Sequence, residues 1–372
     1  MNAATATATD RVFNFSAGPA TMPLSVLEEI RDELLCLPGV GASVMEISHR
    51  SATFVDIMES AKASIRDLLA VPDDYAVLLM QGGSALQFSM VPANLLRGGD
   101  VPAHYMVTGS WSKKAIVEAR KEGQVVTAFD SAATNFDRLP DPAESLVPAE
   151  SAFLYYCSNE TIQGVQFASE PPVPDNVPLA CDVSSDFLSR PLDINRYGLL
   201  YACAQKNAGP AGVTVVIIRR DLLERSRDDL PGYLDYRNHD KAESMWNTPP
   251  TFAVYALGKV TRWLRDEVGG LAAIEKINRE KADLLYTAVD AHPAMYTGHA
   301  QQDCRSQMNV TFKLPNDQLQ AEFIKQAATH SLDALKGHRS VGGIRASIYN
   351  AMPIEGVRAL ADFMNDFASK NS

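Results

Sequence analysis

Residues 201–212 (YACAQKNAGPAG) place one lysine, Lys206, between an apolar run and a glycine-rich turn. The apolar run 198–204 and the later run 213–218 are short and rich in Val, Ile, Leu and Tyr, which is typical of buried strands. Lys206 therefore follows a strand in the interior. A lysine ammonium in the interior is costly unless it is paired or chemically altered. The alternative is a surface lysine, which is the usual case after a strand. The residues around Lys206 must decide between these interpretations.

A carboxylate, Asp182, interrupts the apolar run 179–183, 24 positions before Lys206 (206 − 182). A buried carboxylate needs a partner, because the charged form loses its hydration. That partner could be a backbone N–H group, the start of a helix, or the cationic ring nitrogen of a bound heterocycle.

A glycine turn and an aromatic residue suggest a planar, phosphorylated ligand. Residues 75–80 predict a strand, and Gln81-Gly82-Gly83-Ser84-Ala85 then opens a helix, where free N–H groups and the helix dipole favour phosphate. The turn matches neither GxGxxG nor the GxxxxGK[ST] loop, which argues against ATP hydrolysis. Trp111, after a second predicted strand, could stack on a ring, although such a residue often belongs to the core.

Two basic clusters suggest anion binding. His49-Arg50 precedes a predicted helix, and His338, Arg339 and Arg345 surround a glycine turn. Arginine forks and histidine suit carboxylate and phosphate, although either cluster alone could be solvated surface. In a chain of net charge −11, a protein that binds an anion must collect positive groups locally, so these clusters are informative.

The predicted elements bring most of these residues together. Strands alternate with helices from about residue 75 to 218, which predicts an α/β fold with a largely parallel sheet. Ligands of such sheets bind at the carboxyl ends of the strands. The residues at predicted strand ends are Gly83, Trp111, Thr161, Asp182 and Lys206. We therefore expect a single site.

One strand must run against the others. Only six residues separate Lys206 from Val213, whereas a parallel crossover needs a dozen or more, so the strand from Val213 is predicted to be antiparallel. A long helix from Phe252 marks the boundary of a smaller α+β unit that carries the second basic cluster.

Bulk properties exclude several classes of protein. The chain has 372 residues and no basic run, which argues against nucleic-acid binding, and no apolar stretch approaches about 20 residues, which argues against a membrane span. The first ten residues lack the features of a signal peptide and suggest a loose tail. Five cysteines without a CxxC spacing suggest reduced thiols in the cytoplasm, with no metal site.

Pyridoxal 5'-phosphate requires a lysine, a buried carboxylate, a stacking aromatic and a phosphate turn together. Lys206 would form a Schiff base with it, and Asp182 would keep its ring nitrogen protonated. Trp111 would cover the ring, and the turn 82–85 would bind the phosphate.

The sequence also resembles the phosphoserine aminotransferases, a family of class V aminotransferases within the fold-type I pyridoxal-phosphate enzymes. The resemblance runs from residue 13 to residue 353, and its most specific blocks are MEISHR (45–50), NET (159–161), QKNAGPAG (205–212), NTPPTF (247–252), GHR (337–339) and RASIYN (345–350). It implies a large cofactor-binding domain, residues 13–255, with a mostly parallel seven-stranded sheet and helices on both faces. A smaller α+β C-terminal domain, 256–372, and a loose tail, 1–12, complete the expected organisation.

The same resemblance implies a role for each candidate residue. Lys206 and Asp182 are catalytic, Trp111 stacks, and Thr161 reaches the ring's phenolic oxygen. The expected cofactor-phosphate residues are Ser84, Ala85 and Gln205, joined by Asn247 and Thr248 from the second subunit of a homodimer with shared active sites. The residues expected to hold the substrate's phosphate are His49, Arg50, His338 and Arg339, while Arg345 anchors the α-carboxylate. Some members have Gly-Arg where this chain has Ser84-Ala85. No side-chain charge meets the cofactor phosphate at that point here, so backbone N–H groups must contribute more to binding it.

The implied reaction is reversible amino transfer between glutamate and 3-phosphohydroxypyruvate, giving O-phosphoserine and 2-oxoglutarate in serine biosynthesis. The four-carbon substrate 4-phosphohydroxy-threonine, of pyridoxine synthesis, is a further expectation. A lyase or a cysteine desulfurase would use the same cofactor pocket, and Cys304 is the only cysteine outside an evident strand or helix that could serve the latter. A non-enzymatic anion-binding α/β protein is the third alternative.

Overall fold

The computed structural model describes residues 11–371. The strands are β1 (Phe13–Asn14), β2 (Tyr75–Met80), β3 (Ala103–Val107), β4 (Val125–Asp130), β5 (Leu154–Cys157), β6 (Asn159–Glu160), β7 (Val165–Gln166), β8 (Leu179–Asp182), β9 (Tyr197–Cys203), β10 (Thr214–Arg219), β11 (Thr297–Gly298), β12 (Asn309–Lys313), β13 (Leu332–Asp333) and β14 (Ile344–Ser347). The helices are α1 (Leu24–Glu33), α2 (Ala52–Leu69), α3 (Gly83–Leu95), α4 (Ser110–Ala119), α5 (Arg220–Leu223), α6 (Tyr236–Lys241), α7 (Thr251–Asp266), α8 (Leu271–Ala291), α9 (Asp317–Thr329) and α10 (Ile354–Asn371).

The large sheet has seven strands in the order β2-β10-β9-β8-β5-β3-β4. Strand β10 is antiparallel to both of its neighbours, and every other pairing in this sheet is parallel. The mostly parallel seven-stranded sheet and the antiparallel strand after Lys206 are therefore confirmed. The short connection dictates the second feature, because ten residues between β9 and β10 cannot complete a parallel crossover.

Helices cover both faces of this sheet, as predicted. Consecutive strand residues point to opposite faces, so Leu79 packs with Met58 of α2 in one core cluster, whereas Leu78 packs with Phe88 of α3 in another. Strands β2, β5, β8 and β9 are buried along their whole length. Their continuous apolar runs follow from this two-sided burial.

A smaller sheet, β11-β12-β14, is antiparallel and lies in the C-terminal part of the chain. It shares a core with α8, α9 and α10, in which Leu285, Phe312, Phe323 and Phe367 are buried. Strand β1 pairs with β13, and Phe15 packs into this same core. The first described residues therefore pack into the smaller unit together with α10. Most of the predicted tail, 1–12, lies outside the described residues, and the domain limits 13–255 and 256–372 stay a prediction.

Candidate active site

The carboxyl edge of the large sheet brings Lys206 and Asp182 to neighbouring positions. Asp182 ends β8 and is aligned with Tyr201 of the adjacent β9, whose chain continues to Lys206. Lys206 is partly exposed. Its Nζ donates a hydrogen bond of 2.7 Å to Thr161 Oγ1. Adjacent parallel strands thus place an amine, a hydroxyl and a carboxylate at one edge.

Asp182 is only 3% exposed, and its Oδ1 accepts a 2.8 Å hydrogen bond from the backbone N–H of Ser184. Burial raises the pKa of Asp182, although the charge of Lys206 and the hydrogen bond from Ser184 oppose that rise. A cationic partner stabilises the ionised form of a carboxylate that is buried in this way.

The pKa of Lys206 is also raised. Burial works against its ammonium, but the neighbouring acidic groups, including Cys203, Tyr349 and Asp182, outweigh that effect. In this state Lys206 holds its proton, and a neutral amine requires that its electrostatic surroundings change when ligands bind.

Trp111 lies in the first turn of α4 with its ring beside Lys206, whose Nζ is 5.1 Å from the ring centroid. Its backbone N–H donates to Glu160 Oε2 at 2.9 Å, which fixes the start of the helix. The ring nitrogen Nε1 is buried and has no hydrogen-bond partner within residues 11–371. A buried donor without a partner indicates that a ligand group belongs beside it.

The glycine turn has the form of a phosphate cradle. Gly82 and Gly83 adopt φ values of 95° and 64°, and α3 begins at once, so the N–H groups of Ser84 and Ala85 have no acceptor within the helix. Ser84 Oγ lies 2.7 Å from Ser184 Oγ, which ties this turn to the segment after Asp182. Gln205, which directly precedes Lys206, is partly exposed. These donors fit a phosphate.

The Asp182 carboxylate, the Trp111 ring with its unpartnered Nε1 and the start of α3 together fit pyridoxal 5'-phosphate. Each of its three recognisable parts, the ring nitrogen, the ring face and the phosphate, finds a side chain or a backbone group suited to it.

His338, Arg339 and Arg345 form a basic cluster in and after the loop between β13 and β14. Burial, together with the charges of Arg345, Arg339 and Lys114, lowers the pKa of His338. Arg339 and Arg345 take part in none of the ion pairs within residues 11–371, whereas many other arginines of those residues are paired. Unpaired guanidinium groups that repel one another mark a place for an anion.

Two expected groups lie at the surface of this single chain, and one of them contacts Gln81 at the start of the glycine turn. His49-Arg50 occupies the turn before α2, and no hydrogen bond or ion pair among the described residues joins it to the basic cluster. Asn247 and Thr248 are exposed and contact Gln81, through Asn247 Nδ2 to Gln81 Oε1 at 3.0 Å and Gln81 Nε2 to Thr248 O at 3.2 Å. Both groups therefore lie at the surface of one chain.

Sequence reasoning assigned no role to Glu160, which is fully buried. Its carboxylate accepts hydrogen bonds from Trp111 N–H, Ser112 N–H and Ser112 Oγ at 2.9, 2.9 and 2.5 Å. It thereby caps α4, in the way that an acidic group stabilises a helix start. The only sequence signal was its place in the block 159–161, next to Thr161.

Cys304 does not resemble a mobile nucleophile. It is 2% exposed, and its Sγ donates to Asp137 O at 3.4 Å. Burial raises the pKa of its thiol to about 11. A buried, protonated thiol weighs against a cysteine desulfurase.

Comparisons with known proteins give one consistent result. The family described as class-V aminotransferases matches residues 12–360. Among curated proteins, the phosphoserine aminotransferase of Rhodopirellula baltica is 64% identical, covering 98% of this chain and 96% of that protein, and that of Laribacter hongkongensis is 50% identical, covering 97% and 99%.

Solved structures agree with these matches. The phosphoserine aminotransferase of Bacillus circulans subsp. alkalophilus superposes with a TM-score of 0.94 at 45% identity, covering 98% of this chain and 100% of that one. The pyridoxal-phosphate-bound phosphoserine aminotransferase of Trichomonas vaginalis gives 0.90 at 40% identity, covering 95% and 99%.

Proposed function

The chain belongs to the class-V aminotransferases, and from that membership we propose that it is the phosphoserine aminotransferase of serine biosynthesis. It uses pyridoxal 5'-phosphate and transfers an amino group reversibly between glutamate and 3-phosphohydroxypyruvate, giving O-phosphoserine and 2-oxoglutarate. The observation that supports this most directly is that Lys206 and buried Asp182 share one sheet edge, while an unpaired basic cluster lies in the smaller unit.

We assign the cofactor to the carboxyl edge of the large sheet. When bound, pyridoxal phosphate supplies a carbonyl that reacts with amines and a ring that accepts electrons. Asp182 would face the ring nitrogen, and its raised pKa suits a carboxylate that shares a proton there. Trp111 would cover the ring and Thr161 would bind its phenolic oxygen. The phosphate residues would be Ser84, Ala85 and Gln205, with Asn247 and Thr248 added by a second subunit.

Lys206 acts on the proton of the substrate's α-carbon. With its Nζ neutral, Lys206 would take that proton and hand it on as a general base and acid. In this structure Thr161 Oγ1 accepts a hydrogen bond from Nζ at 2.7 Å and thereby orients it. The partial exposure of Lys206 allows substrate to approach, whereas the buried strand that precedes it limits its movement.

The substrate's two anionic ends suit two separate basic groups. Arg345 would hold the α-carboxylate that both substrates share, because a planar guanidinium binds carboxylate through two parallel hydrogen bonds. His338 and Arg339 would hold the phosphate or the side-chain carboxylate. His49 and Arg50 would add to that phosphate site.

We therefore propose a homodimer with shared active sites, in which the large domain, 13–255, binds the cofactor and the small domain, 256–372, binds the substrate's anionic end. All five cysteines are free, which supports the cytoplasm as its location. Among residues 11–371, no helix has the length and apolar character needed to cross a bilayer.

Half-reaction spectra with a panel of amino and oxo acids test the function. The panel contains glutamate, O-phosphoserine, 3-phosphohydroxypyruvate and 4-phosphohydroxy-threonine, with alanine as an unphosphorylated control. We expect rapid conversion of the cofactor by glutamate and O-phosphoserine and slow conversion by alanine. Alanine reacting as fast as O-phosphoserine would contradict the function.

Arg339→Ala tests the phosphate site. We expect kcat/KM for 3-phosphohydroxypyruvate to fall by about 10²-fold and that for glutamate by less than about 5-fold, since a charge-assisted hydrogen bond contributes about 1.5–3 kcal/mol. Arg358→Ala, which removes an exposed arginine on α10, is the control. Equal losses for both substrates would falsify the assignment of Arg339 to the phosphate.

A further inference from the structure

Lys114 on α4 lies beside the same aromatic ring as the catalytic lysine. Its Nζ is 4.4 Å from the centroid of Trp111, while Nζ of Lys206 is 5.1 Å from that centroid. Both ammonium groups therefore adjoin the ring that would cover the cofactor. Sequence reasoning passed over Lys114, because it looks like an ordinary surface lysine on an amphipathic helix.

The surroundings of Lys114 do not neutralise its charge. It is exposed, and it forms no ion pair with any carboxylate of residues 11–371, although Lys121, two turns further along, pairs with Glu118 at 2.6 Å. Side chains of a helix lean toward its N-terminus, so the Lys114 ammonium reaches back to the positive end of α4. A cation there is disfavoured by the helix dipole.

Lys114 also connects the large sheet with the basic cluster of the smaller unit. After burial and the charges of Arg345 and Arg339, the charge of Lys114 is the remaining influence that lowers the pKa of His338. Lys114 is thus close enough to His338 for the two groups to interact electrostatically. Lys114 of α4 thus adds an ammonium group beside both the Trp111 ring and the basic cluster of the segment 338–345.

We propose that Lys114 is a specificity-determining residue that favours the phosphorylated substrate over glutamate. The inference rests on the proposed function and extends the phosphate site from the smaller unit to α4. The physical reason is charge: an ammonium gains roughly twice as much from a phosphate dianion as from a single carboxylate at the same distance. Lys114 therefore strengthens binding of the phosphate end more than binding of the side-chain carboxylate of glutamate.

The test compares Lys114→Gln with Lys113→Gln, which removes the neighbouring exposed lysine of the same helix. We expect Lys114→Gln to raise KM for 3-phosphohydroxypyruvate by about 5- to 10-fold, as an ion pair between exposed and strongly charged partners would. KM for glutamate should change less than about 2-fold, and kcat should stay unchanged. Lys113→Gln should resemble the wild type, and Lys114→Arg should restore most of the lost affinity.

A binding measurement separates this role from catalysis. Inorganic phosphate, titrated calorimetrically into the holoenzyme, should bind about 5-fold more weakly to Lys114→Gln than to Lys113→Gln. A merely structural role, in which Lys114 holds the Trp111 ring, would instead weaken both substrates equally and alter the cofactor's absorbance, and that result would overturn the proposal. Failure of the proposed function is distinguishable, because the wild type would then not use 3-phosphohydroxypyruvate at all.

Discussion

Two lysines, one in the large sheet's unit and one in the smaller unit, have opposite surroundings. Lys206 follows β9 of the large sheet, is partly exposed and donates a hydrogen bond to the Thr161 hydroxyl. Lys281, in α8 of the smaller unit, is 0% exposed. Its Nζ lies 2.6–3.4 Å from four backbone carbonyl oxygens, which belong to Ile348, Tyr349, Asn350 and Met352.

Their pKa values move in opposite directions. Burial lowers the pKa of Lys281 to about 7, and no acidic side chain counteracts it. The pKa of Lys206 rises, because acidic neighbours that include Asp182 outweigh burial. Burial alone therefore does not make a lysine a catalyst. A catalytic lysine needs space for a substrate and an environment whose charge changes during the reaction, whereas Lys281 has a sealed cage of fixed dipoles.

The structural lysine nevertheless supports the catalytic one. The carbonyl groups around Lys281 belong to the segment 348–352, and Asn350 of this segment donates its backbone N–H to Asn207 Oδ1 at 2.8 Å. Asn207 directly follows Lys206. The smaller unit thus contacts the catalytic loop through a segment that a buried ammonium holds in place.

Replacing Lys206 gives the largest expected effect on activity. Lys206→Ala should lower kcat by at least about 10³-fold, because the general base and acid is lost. The mid-point of urea unfolding should change little, since this side chain has one hydrogen bond in the described structure. Borohydride should no longer fix the cofactor to the chain. A large loss of stability with retained turnover would reverse the contrast between the two lysines.

The carboxylate beside Lys206 should matter next most. Asp182→Asn keeps an oxygen for the Ser184 N–H but removes the charge, so we expect kcat to fall by about 10²-fold. The matched control is Asp186→Asn, which alters another buried aspartate that bonds to Ser158 and Gln166. It should reduce stability and leave kcat within about 3-fold. Equal loss of kcat in both variants would remove Asp182 from the catalytic group.

The chemistry at the large sheet could be predicted because local sequence carries it. Apolar runs that end in Asp182 and Lys206 reveal strand ends, and the six residues between Lys206 and Val213 fix the antiparallel strand. The start of a helix could be predicted nearly as well: the long helix predicted from Phe252 is observed at Thr251–Asp266.

The role of Lys281 could not be predicted, because its partners are backbone carbonyls 67 to 71 positions away, and every residue type has a carbonyl. Glu160 was hidden for a similar reason, since it caps a helix that begins about 50 positions earlier. Partners supplied by the backbone or by distant segments leave no pattern in the sequence. The pairing of β1 with β13 escaped prediction in the same way.

Lys281→Met should affect stability and spare chemistry. Methionine fills similar space but removes the Lys281 donor from four carbonyls, of which, within residues 11–371, only that of Tyr349 keeps another donor, the N–H of Met352. We therefore expect the free energy of unfolding to fall by about 2–4 kcal/mol. The spectrum of the bound cofactor should be retained, and kcat should fall only modestly. Lys276→Met, on the exposed side of the same helix, is the control and should stay within about 0.5 kcal/mol of the wild type. Loss of the cofactor's linkage without loss of stability would contradict this assignment.

The smallest expected effect is the dependence of stability on pH. The pKa of Lys281 is lowered from 10.5 to about 7 on folding. Below pH 7 both states hold the proton, and above pH 10.5 neither does. Between these values the unfolded chain binds a proton that the folded chain does not, so the free energy of unfolding rises with pH, by at most about 1.4 kcal/mol per unit. The carbonyl cage favours the ammonium and reduces this slope.

Other groups titrate in the same range, so the difference between two proteins is the informative quantity. Urea unfolding of the wild type and of Lys281→Met at pH 7, 8 and 9 should show a steeper rise for the wild type. Parallel slopes would mean that the carbonyl groups keep Lys281 charged throughout. Lys281 would then resemble Lys206 in holding its proton, and the two lysines would differ only in whether a substrate can reach them.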